Sequence, residues 1–147
     1  MAGTFDLRTP HDLLAKLERE LQRLRTSPND KDAAINFFIA AESMLDWKNP
    51  GGPSSGIRKS VRDSEPLLQV VWDLASRSKH FDQLHPGHQS VDDSGTFGEF
   101  FGGDFFGGKF FGVLSVKFKG DAAKHLGTSL PALDLAEKVF AYWKGHC

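Results

Sequence analysis

At 147 residues the chain has the length of one ordinary domain, and such a domain buries about 70% of its unfolded surface without needing disulfides or a structural metal. Its 18 Lys and Arg nearly balance 19 Asp and Glu, which argues against affinity gained by coating nucleic acid with positive charge, though a local basic patch stays open. The one cysteine, Cys147, provides no internal disulfide and no thiolate metal cluster. The opening MAGTFDLRTPHDLL has no apolar signal core, and no stretch reaches the roughly 18 apolar residues of a membrane span. The expectation is a soluble cytoplasmic protein with no membrane association, built as a single helical domain over residues 1–147.

Thr9 and Pro10 predict the first helix, a hydroxyl cap followed by proline at the first position. Leu14, Leu17, Leu21 and Leu24 then recur at threes and fours between charged residues, the pattern of a one-sided surface helix. After the turn Ser27-Pro28-Asn29-Asp30, with Ser27 or Asp30 as cap, a second helix is predicted from Lys31 to Trp47. It is apolar nearly all round, as befits the middle of a bundle, so Asn36, Glu42, Ser43 and Asp46 should reach partners or the rim. Asn49 to Ser60, rich in Pro, Gly and Ser, reads as a surface loop, with Arg58, Lys59 and Arg62 at or just after its end.

Ser64 to His85 is the clearest amphipathic helix, capped by Asp63 or Ser64, with Pro66 in its first turn and Pro86-Gly87 as its stop. Leu67, Val70, Val71 and Leu74 form its apolar stripe, widened by Leu68 and Trp72. Gly95 to Gly112 follows with a five-residue repeat (FFGGD, FFGGK, FFG), holding seven of the 13 Phe and seven of the 15 Gly. Five matches neither the helical nor the strand period, so residues 95–112 read as a flexible loop or hairpin tip. The alternative is a sticky aromatic surface for a partner subunit or ligand. Val113 to Lys119 alternates as a half-buried strand, with Gln89-Ser90-Val91 as its hairpin partner. Ser129 is the expected cap of a last helix, Leu130 to Lys144, with Leu133, Ala136, Phe140 and Trp143 inward and Gly145 at its end. The predicted fold is mainly α: a four-helix antiparallel bundle with a small β-hairpin inserted before the last helix.

Two constellations could carry chemistry. Asp73, Arg77 and His80 stand at i, i+4 and i+7, one face of a helix. There a carboxylate could orient an imidazole as a general base while the guanidinium holds a phosphate. The plainer reading is a surface Asp–Arg pair with a histidine nearby. Asp46 could join from the second helix, and Asp46, Lys79 and Trp72 are the candidate binding residues. The second constellation is His80, His85 and His88 with Asp82. Their spacing scatters the rings over different helix faces, so no metal site is assigned and no cofactor is expected. Walker, dinucleotide, nucleophile-elbow and HExxH motifs are absent.

The segments DAAINFFIAAESMLDW, LLQVVWDLASRSKHF and LDLAEKVFAYWK resemble a group of uncharacterised bacterial proteins similar to the HEPN superfamily, short helical bundles of toxin–antitoxin, abortive-infection and other defence systems. The resemblance spans Asp32 to Lys144 and covers about half the residues there. It implies that Arg77 and His80 correspond to the Arg and His that active members pair across a homodimer to cut RNA. Those members place four to six residues between the two. Here only two intervene, and Ser43 stands where a further histidine is expected. Two functional readings follow: a non-catalytic, homodimeric binding or oligomerisation module for a partner protein or small ligand, or a metal-independent ribonuclease using His80 and Arg77, for which alone RNA would be a partner. A metal-assisted hydrolase ranks behind both.

Overall fold

Thr9 and Asp12 close a reciprocal capping box at the start of α1 (Pro10–Thr26): Thr9 Oγ1 accepts from the Asp12 N–H at 3.1 Å and Asp12 Oδ2 accepts from the Thr9 N–H at 2.9 Å. The same carboxylate accepts from the Arg8 N–H, and these hydrogen bonds, Arg8's first, hold it below the usual carboxylate range. Leu13, Leu17, Leu21 and Leu24 are buried and Leu14 sits at the margin. Asp30 then caps α2 (Lys31–Lys48), its Oδ1 accepting from the Asp32 and Ala33 N–H groups at 2.9 and 3.2 Å. As its all-round apolar surface requires, α2 packs against α1 on one side and against two later helices on others.

These elements belong to a computed structural model that describes residues 4–50, 56–79, 88–97 and 112–147. Across those residues it holds α3 (Gly56–Asp63), α4 (Pro66–Lys79), β1 (Val91–Phe97), β2 (Val113–Phe118), α5 (Gly120–Leu126), β3 (Ser129–Pro131) and α6 (Ala132–His146) after the first two helices. The fold is mainly helical with a small antiparallel sheet in the order β1-β2-β3. The core joins the inner faces of α1, α2, α4 and α6 to Val91, Leu114, Val116 and Phe118 of the sheet.

Several sequence expectations need correction. A helix, α3, begins inside the predicted loop at Gly56 and runs past its end to Asp63: none of its residues is fully buried, Val61 packs against the core, Arg58 Nε donates to the Asn49 carbonyl at 3.0 Å, and Lys59 pairs with Asp63 within the helix at 2.5 Å. Neither Asp63 nor Ser64 caps α4. Ser64 Oγ turns back to the Val61 carbonyl at 2.8 Å, and Glu65 supplies the acceptor for the Leu67 N–H at 3.2 Å. The predicted continuation of that helix beyond Lys79 to His85 lies outside the described residues.

The hairpin is present, but its first strand begins at Val91 and takes Gly95, Thr96 and Phe97 from the stretch read as a loop tip. Most of the Phe/Gly repeat, residues 98–111, lies outside the described residues. After β2 the chain forms α5, which the sequence reading left out. Ser129 caps nothing: it pairs with Lys117 in β3, and Pro131 stands at the start of α6 without a side-chain cap. Consequently the buried stripe of α6 is Leu135, Ala136, Val139 and Trp143, with Leu133 and Phe140 at its edge, and the helix runs through Gly145. Arg25 ties this helix to α1 by a two-pronged pair with Glu137 at 2.6 and 2.8 Å.

Gly120 is the turn on which β2 hands over to α5. Its φ is +61°, and a Cβ there would stand 2.8 Å from the Gln89 carbonyl oxygen. Gly120→Ala should lower stability by about 1–3 kcal/mol in urea unfolding. Gly145→Ala, where a Cβ meets nothing within 4 Å, should be neutral or gain up to about 1 kcal/mol. Equal effects at both positions would show that the turn geometry does not matter.

Candidate functional site

Asp73 lies on α4 with its side chain wholly buried. Oδ1 accepts from Arg77 Nε at 2.7 Å, and Oδ2 accepts from the Val91 N–H at 2.9 Å and from Ser90 Oγ at 3.3 Å. Arg77 Nη2 in turn donates to the Val91 carbonyl at 2.8 Å. One residue at the start of β1 is therefore gripped by both its peptide groups, its N–H by the aspartate and its C=O by the arginine. A buried carboxylate is tolerated only when it is hydrogen-bonded, and here three donors serve its two oxygens. The i, i+4 pair that could pass for a surface salt bridge is instead the clasp that fixes α4 to the sheet.

Of the other residues expected around that pair, His80 lies outside the described residues. Asp46 does not join: it is exposed on α2 and pairs with Arg58 of α3 at 3.6 Å. Its neighbourhood contains a second cluster that sequence reasoning did not assemble. Arg62 of α3 stands 3.8 Å from Glu42 of α2, and its guanidinium carbon lies 4.2 Å from the centre of the Trp72 ring. Trp72 also meets the buried His88 ring edge-on at 4.1 Å. The Glu42 side chain is 15% exposed. Burial pushes its carboxyl up to about 7, against the pull of Arg62, with Asp46 adding to the rise and Lys79 opposing it. Asp46 and Lys79 thus act on Glu42, and Trp72 meets its partner Arg62, so these charges centre on Glu42 and Arg62 rather than on Asp73. The signal available in sequence was an acid on an otherwise apolar helix, which must find a partner.

A third feature lies where Arg77 emerges. Between α2, α4 and the sheet runs a cleft of about 460 Å3, walled by Ala34, Ile35, Phe38, Leu74, Leu114 and Val116. Lys31, Arg77, Ser78, Ser94 and Ser115 supply its polar lining. Apolar walls with a few converging polar groups are the usual make-up of a small-molecule site. The charged face of α1 holds one more buried acid, Glu20, whose Oε1 takes Lys16 at 3.0 Å and Arg23 at 2.6 Å. Burial works against its charge, and the two cations outweigh it, leaving the carboxyl below its ordinary value. Both cations remain partly solvated, Arg23 with 62% of its side chain exposed, while they reach Glu20.

Among the described residues, no three His, Cys, Asp or Glu side chains converge as metal ligands, and no helix is long and apolar enough to cross a membrane. Comparison with protein-family models, curated proteins and solved structures finds no match, so the functional argument rests on the geometry.

Glu42 gives that geometry a pH signature. Between its ordinary value of 4.5 and about 7 the folded state keeps a proton that the unfolded chain releases. The stability tied to that proton is complete below 4.5 and is lost as pH rises through 7. Glu42→Gln should therefore stabilise the fold by about 1–3 kcal/mol at pH 8, with the gain fading towards pH 4.5 in parallel denaturant titrations. A gain of the same size at both ends of the range would disprove the assignment.

Proposed function

We propose that the chain is a non-catalytic, HEPN-like helical domain that acts in the cytoplasm as a homodimeric binding module. The observation that supports this reading is the commitment of Asp73 and Arg77. An RNA-cutting site of that kind needs an arginine with donors aimed at a scissile phosphate and a carboxylate free to orient an imidazole. Here the carboxylate already accepts from Arg77, Ser90 and Val91 inside the protein, and the guanidinium is held in place by Nε and Nη2. Withdrawing Asp73 to orient an imidazole would release β1 from α4. Binding requires no such withdrawal. The apolar cleft beside Arg77 and the mixed-charge face of Trp72, Lys79 and Asp46 both offer contact surface without disturbing the clasp.

The rival is a metal-independent ribonuclease with His80 as general base and Arg77 on the phosphate. Induced expression of the wild-type chain should leave growth and bulk RNA intact, and purified protein should leave a structured RNA uncut. Arg77→Ala should lower thermal stability, because it leaves Asp73 buried with one donor fewer, at a cost of about 3 kcal/mol or more. His80→Ala should change neither readout. RNA cleavage by the wild type that vanishes in His80→Ala at unchanged melting temperature would establish the ribonuclease instead. Light scattering should return the mass of two chains.

A further inference from the structure

Resting on the reading of the chain as a binding module, we propose that the cleft between α2, α4 and the sheet binds a small amphipathic monocarboxylate. Its acid group would be held by Lys31 and Arg77, and its aliphatic body would lie against Ala34, Ile35, Leu74 and Leu114. Charge selects the head group. Among the described residues the lining contains two cations and no Asp or Glu. The acids nearest to Lys31 in sequence, Asp30 and Asp32, line a separate groove with Gln22 and Arg23. Arg77 is already neutralised by Asp73 at 2.7 Å, so the net charge the cleft offers is that of Lys31. A singly charged acid matches it, whereas a phosphate dianion would bring one charge too many into an apolar surround.

Donor geometry agrees. A guanidinium has five N–H hydrogens. The clasp uses Nε and one hydrogen of Nη2 and fixes the plane of the group, while Nη1 makes no hydrogen bond among the described residues. A carboxylate is the planar acceptor such a held fork takes up most readily. The Ser94 hydroxyl on β1 lies in the same lining. The walls select the body: they are aliphatic apart from Phe38, and Ile35 at the mouth remains 40% exposed. That favours a flexible carbon chain over a stacked ring. A space of about 460 Å3 accommodates on the order of 10 to 20 non-hydrogen atoms.

The test is calorimetric titration of decanoate into the full chain. We expect saturable binding of one decanoate per chain. Decanol, with the same tail and no charge, should bind at least about tenfold more weakly, as expected for loss of a charge-assisted contact. Lys31→Gln, at an exposed position, should weaken decanoate by about tenfold at an unchanged melting temperature. Ala34→Leu, which thickens the wall, should abolish binding, and Ser94→Leu from the facing strand serves the same purpose if the first variant melts lower. Absence of saturable decanoate binding, equal affinity for decanol, or undiminished affinity in Lys31→Gln would each overturn the proposal. Those results with RNA left intact sink the ligand alone. RNA cleavage dependent on His80 would sink the underlying reading as a binding module.

Discussion

Everything on the sheet side of the molecule depends on one buried carboxylate. Taking an aspartate wholly out of water costs several kcal/mol unless its oxygens are satisfied. Asp73 meets that requirement by recruiting Arg77 from the next turn of its own helix and Ser90 and Val91 from the far side of the chain. The strand therefore cannot choose its starting point. Val91 must present both peptide groups to α4, and the irregularity in the β1–β2 register falls immediately after it, between Val91 and Asp93. A bulge there lets one end of the strand obey the clasp while the rest obeys the ladder with β2. Once β1 is placed, β2 and then β3 follow by pairing, and the cleft between sheet and helices takes its shape from the same contacts.

The acid on α2 makes an instructive contrast. Glu42 is largely buried, with 15% of its side chain exposed against none of Asp73's, and its nearest cation, Arg62, approaches only to 3.8 Å. Without short hydrogen bonds to the charged form, burial dominates and the carboxyl titrates near neutrality. Arg62 divides its attention, since its guanidinium also lies on the Trp72 ring. This loose arrangement joins the partly buried Val61 and the contacts of Arg58 in tying α3 to the rest of the fold. Two inward-facing acids thus perform different tasks. The one with full partners locks an element, and the one with a poor partner leaves its element weakly held and sensitive to pH.

What could be read from sequence follows from how local the determining interactions are. Thr9, Pro10 and Asp12 cap α1 within four residues, and Asp30 caps α2 within three, so both starts were legible. The apolar circumference of α2 correctly announced a central helix. By contrast α3 is held by Glu42 and Asp46 from a different helix, and nothing within NPGGPSSGIRKS announces those partners. Ser129 has every local mark of a helix cap and is instead drawn into the sheet by pairing with Lys117, a tertiary contact overriding a local preference. The same holds for the site. The i, i+4 spacing of Asp73 and Arg77 is visible in the sequence, but their burial depends on Ser90 and Val91, 17 and 18 residues away from Asp73.

Helix α4 shows how one element can face two ways. Asp73 and Arg77, a turn apart, look towards the sheet, while Trp72 and Lys79, two turns apart, look towards α2 and α3. Buried Leu68, Val71 and Ala75 belong to the same helix, so it is anchored by apolar contact and bordered by charge. The guanidinium at position 77 is planar, doubly tethered and bonded to a residue of the sheet, so its motion would be coupled to that of the sheet. A donor plane fixed in this way loses little freedom when an acid docks on it.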